Sequence, residues 1–198
     1  MTEPDYSAIA RDLEMLLDQL YYWARRAQDS HGKADELAGR MFEVATANLQ
    51  IFVTTLVDCF RPLQLTPVRV PISEFISAIA RGARAELGAV SVTVSGEADG
   101  LLVADVTLLT RALSGILGRL DLGGARLDVG VARTERGGRR GVEISLRSTA
   151  GARAGAPREG TADLEWVLAA RIVSAHAGDV REQAGRGPAI TLFLPADT

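Results

Sequence analysis

Apolar residues in the first third of the chain recur at spacings of four and three residues. The pattern comprises two runs, Ile9, Leu13, Leu16, Leu20, Trp23 and Ala27, then Phe42, Ala45, Leu49, Phe52, Leu56, Phe60 and Leu63. This spacing is typical of the a/d seam between packed helices. Turn-forming residues occupy 29–32 between the runs, and Pro62 and Pro67 are expected to end the second helix. The pattern predicts an antiparallel helical hairpin.

Further apolar side chains lie beside this seam, where two helices alone would leave them in water. They are Leu17, Tyr21, Tyr22, Ile51, Val53 and Val57. Two hairpins that pair in a four-helix bundle would bury them, so the sequence predicts a homodimer. Docking of the same surface against the rest of the chain is the alternative.

Beyond Pro67 the hydrophobic pattern alternates between helical and strand periods. It predicts helices at 73–87, 105–120 and 161–173, and strands near 90–94, 101–104, 127–131, 142–146, 180 and 190–194. Asp105 and Thr161 are expected helix caps, residues 135–138 a hairpin turn, and residues 149–160 an exposed, mobile loop. The predicted fold class is α+β, with a helical-hairpin dimerisation domain at 1–66 and a two-layer α/β sandwich at 67–198.

Composition narrows the function classes. The chain has 198 residues, 47% hydrophobic content and a net charge of -3, without a run of lysines or arginines. That balance gives little reason to expect nucleic acid or an anionic membrane as a partner. No stretch approaches the roughly 20 apolar residues of a membrane span, and the single Cys59 has no disulfide partner within the chain. We expect a soluble cytoplasmic protein with Cys59 as a packed thiol.

Several local sequences, in this order of elements, resemble the core of a sensor histidine kinase. Residues 171–178 (Arg-Ile-Val-Ser-Ala-His-Ala-Gly), with Gly185-Arg186-Gly187 and Phe193-Leu194-Pro195 after them, are similar to the family ending K-x-I-V-E-x-H-G-G … G-x-G-T-x-F-x-x-x-L-P. Residues 105–120 are similar to the helix that carries the kinase N-box. The resemblance extends over nearly the whole chain and implies a sandwich of the GHKL ATPase type.

The family's acceptor and metal-binding positions hold other residues here. The acceptor motif S-H-E-L-R-T-P-L falls by register on residues 10–17, which puts Arg11 in place of the phosphorylated histidine. A guanidinium stays protonated and has no lone pair with which to attack a phosphoryl group. The N-box N-L-L-x-N-A falls on residues 115–120, and neither Gly115 nor Arg119 supplies the oxygen that the family's asparagines offer Mg²⁺.

The resemblance implies the same loss in the nucleotide loops. The adenine motif D-x-G-x-G falls on residues 148–152, where Ser148 replaces the aspartate and Ala150 the first glycine. The phosphate turn G-L-G-L falls on residues 163–166, with Asp163 and Glu165 at the glycine positions. Carboxylates there would repel a polyphosphate, and side chains would obstruct its approach to the backbone. These positions predict a protein without ATP binding, cofactor or autophosphorylation.

The two histidines do not offer a replacement site by sequence. His31 lies in the turn between the hairpin helices, where a solvated role is expected, and His176 precedes Gly178 at a helix end, where capping and packing are expected. One cysteine and two scattered histidines do not form a zinc motif. Arg147, Arg153 and Arg158 flank or lie in the predicted loop and are expected to be solvated, although they are able to contact an anion.

Three functions follow from this combination. The first is a non-catalytic dimeric signalling adaptor, a pseudo histidine kinase that binds a response-regulator receiver domain or a histidine kinase. The second is a phosphorelay protein similar to the dimeric histidine phosphotransferases, which keep the kinase architecture without ATP binding but need an acceptor histidine. The third is a module whose altered pocket binds a ligand other than ATP. For the adaptor, the resemblance places the partner surface on the first helix, at Arg11, Asp12, Glu14, Met15 and Asp18, with the facing part of the second helix.

Overall fold

A computed structural model describes residues 6–29, 33–87, 91–96, 99–120, 126–148, 162–183 and 189–197. The chain divides into two compact units. The first comprises residues 1–61 with 157–167, and the second comprises residues 62–156 with 168–198.

The first unit contains the predicted pair of helices, α1 (Tyr6–Asp29) and α2 (Lys33–Phe60). The beginning of α1 and the second half of α2 contribute to the same apolar cluster, so the helices run antiparallel, as predicted. Helix α2 ends at Phe60, and Leu63 therefore lies outside the helix that its spacing predicted. The physical reason is Pro62, which lacks a backbone N–H and disfavours helical geometry in the residue before it.

The hairpin core contains a residue from far along the chain. Leu164 is 1% exposed and belongs to the cluster formed around Leu16 and Phe52, with Ile9, Leu13, Leu49, Leu56 and Cys59 packed against it. The Cys59 thiol also donates to the backbone carbonyl of Leu164, with Sγ and O 3.7 Å apart. Two helices cannot enclose a core by themselves, and here a third segment supplies part of the cover.

The second unit contains most of the remaining elements, whose order agrees with the predicted alternation. In chain order they are β1 (Val68–Pro71), α3 (Ile72–Leu87), β2 (Ser91–Gly96), β3 (Leu101–Ala104), α4 (Val106–Arg119), β4 (Arg126–Arg136), β5 (Arg139–Ser148), α5 (Ala162–Ala175), β6 (Asp179–Gln183) and β7 (Ala189–Asp197). Helix α5 begins in the first unit and continues in the second from Leu168 onward.

The strands form one mixed sheet in the order β1-β3-β7-β5-β4-β2, with β6 also paired to β7. The pair β2–β4 is parallel, and the other described pairs are antiparallel. Strand β1 was not predicted, because four residues that end in Pro71 show no clear alternation. Its pairing with β3 at the border of the sheet explains how a proline is tolerated there.

Most of the core of this unit lies on one side of the sheet, against the helices. Alternate residues of the central strands are almost completely buried, namely Leu127, Val129, Val131, Val142, Ile144, Leu146, Ile190, Leu192 and Leu194. Buried residues of α3 and α4, among them Ile79 and Ile116, supply the opposite layer. A period of two in the strands and of 3.6 in the helices therefore defines a helix layer on a sheet.

The turn between β4 and β5 is shorter than predicted. Only Gly137 and Gly138 lie outside the strands, and both have positive φ, 58° and 76°. Two central residues with positive φ define a type I′ geometry, which matches the twist of the flanking strands. The glycines therefore fix the register of the long β4–β5 hairpin.

Candidate functional site

The residues predicted to contact a partner all lie on α1. Arg11, Glu14 and Asp18 are exposed, while Asp12 and Met15 are half-buried. Arg11, Met15 and Asp18 are spaced by four and three residues and therefore share one side of the helix. Leu16, by contrast, points into the hairpin core. Met15 is thus less accessible than a freely exposed contact residue would be.

Tyr22 extends this side of α1 by one further helical turn, although the hydrophobic pattern assigned it to the apolar surface that a homodimer would bury. Its side chain is 53% exposed. Its ring packs edge-on against Trp23, with centroids 4.9 Å apart, and its hydroxyl accepts from Arg26 Nη1 at 3.2 Å. The same spacing of four, counted on from Asp18, would have identified it.

The two N-box positions lie on the same side of α4. Gly115 is buried, and its lack of a side chain leaves no oxygen at that point of the helix. Arg119 is the last residue of α4, and its Nε is 2.6 Å from Oε1 of Glu182 on β6. Because both side chains are substantially exposed, this ion pair contributes about 0–1 kcal/mol to stability.

The remaining positions that were predicted to line the pocket lie on different elements or outside the described residues. Ser148 is the last residue of β5, where it is buried and lies opposite Leu127. Glu165 is half-buried on α5 and belongs to the first unit. Ala150 and the side chain of Asp163 lie outside the described residues, as do His31, Arg153 and Arg158.

His176 connects the end of α5 to the beginning of α4. The backbone N–H of Asp105 donates to His176 Nε2 at 3.0 Å, and His176 Nδ1 lies 2.8 Å from the carbonyl oxygen of Ile172. Since Nε2 accepts, a ring proton lies on Nδ1, which donates to the carbonyl of Ile172. The packing role predicted for His176 therefore has a defined geometry.

The end of α5 departs from the glycine pair that the family carries. Ala177 takes the left-handed conformation, with φ of 56°, which costs a non-glycine residue about 1 kcal/mol. The N–H of Gly178 donates to the carbonyl of Val173 at 3.0 Å and closes the helix. A Cβ on Gly178 would lie 2.4 Å from the carbonyl oxygen of Phe193, so this glycine is required for close approach to β7.

Asp105 caps α4, as predicted, and also holds the segment that enters the second unit. Its Oδ1 accepts from the backbone N–H of Leu108 and its Oδ2 from that of Thr66, each at 3.0 Å. These two hydrogen bonds lower the pKa of the Asp105 carboxyl below its usual 3.8, against the opposing effect of burial. The carboxylate thus joins the first turn of α4 to the backbone at Thr66.

We expect Asp105→Ala to lower the free energy of unfolding by about 1 kcal/mol near neutral pH, within the usual range for a lost N-cap. Since the folded pKa is lowered, the charge stabilises the fold above the unfolded pKa and loses that effect as pH falls through the folded pKa. Urea unfolding at about pH 7 and about pH 3 measures both effects. Asp105→Asn is the matched control, because it keeps a capping oxygen and removes the charge. An Asp105→Ala deficit that is equally large at both pH values would contradict this assignment.

Within the described residues there is no group of three or more histidine, cysteine, aspartate or glutamate side chains placed to hold a metal ion. None of the described helices is long and apolar enough to cross a membrane.

Comparison with solved structures identifies the fold. The histidine kinase AdeS of Acinetobacter baumannii superposes on 94% of this chain and 98% of its own, with a TM-score of 0.63 and 13% identity. The ATP-binding domain of PrrB from Mycobacterium tuberculosis superposes on 67% of this chain and 99% of its own, with a TM-score of 0.50 and 20% identity.

ShkA, whose full-length structure was solved in complex with AMPPNP, superposes on 98% of this chain and 45% of its own, with a TM-score of 0.54 and 14% identity. No protein-family profile matches the sequence. No curated protein matches it either. The chain therefore has the fold of a histidine-kinase core, an α+β architecture of helices and a mixed sheet, at a sequence identity that defines fold alone.

Proposed function

We propose that this protein is a non-catalytic, dimeric adaptor of two-component signalling, which binds a response-regulator receiver domain without ATP hydrolysis or autophosphorylation. One observation carries the proposal. The likeness to a histidine kinase extends over nearly the whole chain, while Arg11 stands exposed on α1 in the register of the acceptor histidine. A histidine-kinase fold that lacks the phosphorylated histidine is unable to transfer phosphate from it, but its surface is still able to bind a partner protein.

The N-box region supports the absence of kinase chemistry. Gly115 offers no side-chain ligand, and the Arg119 guanidinium is a donor engaged with Glu182. Arginine has no acceptor atom and carries a positive charge, so it is unable to coordinate Mg²⁺. Ser148 brings a hydroxyl to the register where the family places an aspartate.

Exposed apolar stripes on the hairpin support the dimer. Leu37, Val44 and Ile51 are spaced by seven residues on α2 and are each more than half exposed. Leu17 and Tyr21 form a further exposed stripe on α1, at 46% and 70%. An exposed heptad stripe on α2 and an exposed apolar pair on α1 suit the packing of a second hairpin alongside in a four-helix bundle.

The partner surface is the side of α1 that carries Arg11, Met15, Asp18 and Tyr22, with Glu14 and Asp12 at its borders. It combines charged groups of both signs with a thioether and an aromatic ring. Interfaces draw most of their affinity from a few such residues, with tyrosine and arginine enriched among them. Trp23 and Arg26 restrict the ring of Tyr22 before binding, which lowers the entropy lost on association.

The test is a binding screen of the full chain against receiver domains of the source organism, with a phosphotransfer assay in parallel. We expect binding without transfer of label, and a loss of about tenfold in affinity for a double variant with Glu14→Ala and Met15→Ala. Glu43→Ala removes the same kind of exposed carboxylate from the first half of α2 and should leave binding unchanged.

Three results would contradict the proposal. Receiver binding that is untouched by the α1 double variant would remove the docking surface. Labelling that disappears in His31→Ala would indicate a phosphorelay protein. A melting temperature that rises with Mg²⁺–ATP would show that the altered pocket still binds nucleotide.

A further inference from the structure

One border of the sheet is formed by β2. Among the described residues it pairs only with β4, in parallel, from Ser91 opposite Arg126 to Gly96 opposite Val131. The other side of such a strand presents a row of backbone N–H and C=O groups, which are able to pair with a further strand.

Strand β2 lacks the features by which proteins protect such a border. Its sequence is Ser-Val-Thr-Val-Ser-Gly, without a charge or a proline. Strand β1, at the opposite end of the sheet order, has both, since it contains Arg69 and Pro71. Charge and proline on a border strand disfavour the addition of another strand. The β1 border therefore carries residues that disfavour the addition of a strand, and the β2 border does not.

The sequence of residues 91–95 reads the same in both directions. An antiparallel pair of two such strands, centred on Thr93, places Ser91 opposite Ser95 and Val92 opposite Val94. The strand is thus complementary to itself about a two-fold axis, as a symmetric contact between identical chains requires.

The positions of the valines also favour β2 of a second copy as the strand that pairs with this border. Val92 and Val94 lie opposite Leu127 and Val129, which face the helix layer and are buried. Val94 is nevertheless 46% exposed at this border. A second copy of β2 in antiparallel register would bring its own valines beside Val94 and continue the apolar layer. The serines and threonine would continue the polar layer on the other face.

We propose that the outer side of β2 binds β2 of a second copy of this chain, in an antiparallel pair centred on Thr93, so that the two sheets become continuous. This contact is separate from the hairpin dimer. A chain with two different two-fold contacts forms assemblies larger than a dimer, whose mass rises with concentration.

The test places like charges on the two-fold axis. Thr93→Glu and Thr93→Lys each bring two identical charges directly opposite one another, which opposes pairing. Asp128 lies beside Thr93 on β4 of the same chain and would partly neutralise a lysine at this position, so the glutamate variant opposes pairing more strongly. Thr93→Val is the uncharged control. Thr110→Glu is a second control, because it places the same charge at an exposed position on α4.

Molar mass is measured by light scattering across a range of concentrations, in a full-length chain whose hairpin contact is removed by Tyr21→Asp and Ile51→Asp. We expect this hairpin variant to form a dimer, and Thr93→Glu within it to halve the mass. The controls should retain the dimer. Mixing the glutamate and lysine variants should restore it, and two misfolded proteins would not regain the dimer mass on mixing.

A hairpin variant that is monomeric throughout would overturn the β2 contact and leave the hairpin dimer intact. A dimer that persists in both Thr93→Glu and Thr93→Lys would also overturn it. A wild-type dimer that is unaffected by the hairpin changes but halved in mass by Thr93→Glu would support the β2 contact and contradict the hairpin dimer.

Discussion

Replacement of Phe52 by alanine is expected to lower the free energy of unfolding by about 3–5 kcal/mol. Phe52 is 0% exposed and lies in the hairpin core beside Leu16 and Leu164. The loss combines the transfer of an aromatic ring to water with the cavity that its removal leaves. Equilibrium urea unfolding, followed by far-UV circular dichroism, measures it.

Val53→Ala is the matched control for Phe52→Ala. Val53 is the next residue of α2 and is 46% exposed, so its truncation should change stability by less than about 0.5 kcal/mol. Val53 also belongs to the apolar surface that the proposed dimer would bury. The two variants are therefore compared at one low protein concentration, at which dimer formation contributes little to stability. Equal losses at the two positions would mean that the inward side of α2 is assigned wrongly.

Leu164→Ala is expected to destabilise the protein by about 2–5 kcal/mol. The side chain is 1% exposed and contacts the hairpin cluster, while its backbone carbonyl accepts from Cys59. The same unfolding measurement applies. Leu164→Met, which conserves volume, should cost less than about 1.5 kcal/mol.

A double variant of Phe52 and Leu164 tests whether the two side chains share one core. Residues in contact lose additivity, so the combined loss should differ from the sum of the single losses by more than about 0.5 kcal/mol. Strict additivity would place Leu164 outside the hairpin cluster. The result matters for function, because residues 163–166 are the segment that resembles the kinase phosphate turn. A leucine anchored in the helical hairpin gives that segment a structural role.

The hydrophobic pattern was sufficient to predict the helices and most strands. Helix α3 and strand β3 were predicted correctly, and the capping role of Asp105 was predicted from its position before an apolar run. Spacing reveals these elements because it reflects which side of a helix or strand is buried. Strand β1 was missed, because a short strand ending in proline at a sheet border lacks both alternation and a buried run.

The candidate site could be read from the sequence only as a set of aligned positions. The prediction that Arg11, Gly115 and Arg119 stand in place of a kinase's histidine and asparagines needs only the sequence and the resemblance. The contacts that these residues make, by contrast, become known only from the structure. The ion pair of Arg119 with Glu182 and the tyrosine that extends the α1 surface depend on which residues the fold brings near. The proposed surface on α1 remains a prediction until receiver binding is measured.

The sequence by itself determined the helical hairpin and the alternation of helices and strands, and it predicted other residues at the positions that the resemblance aligns with kinase chemistry. These properties are local, because each follows from periodicity, turn chemistry or residue type at a given position. The tertiary structure decided the parallel pairing of β2 with β4, the hydrogen bond between Asp105 and His176, and the contribution of Leu164 to the hairpin core. Such contacts join residues that are distant in the chain. They follow from the simultaneous burial of several apolar surfaces and the pairing of polar groups at their borders, which a local spacing pattern does not encode.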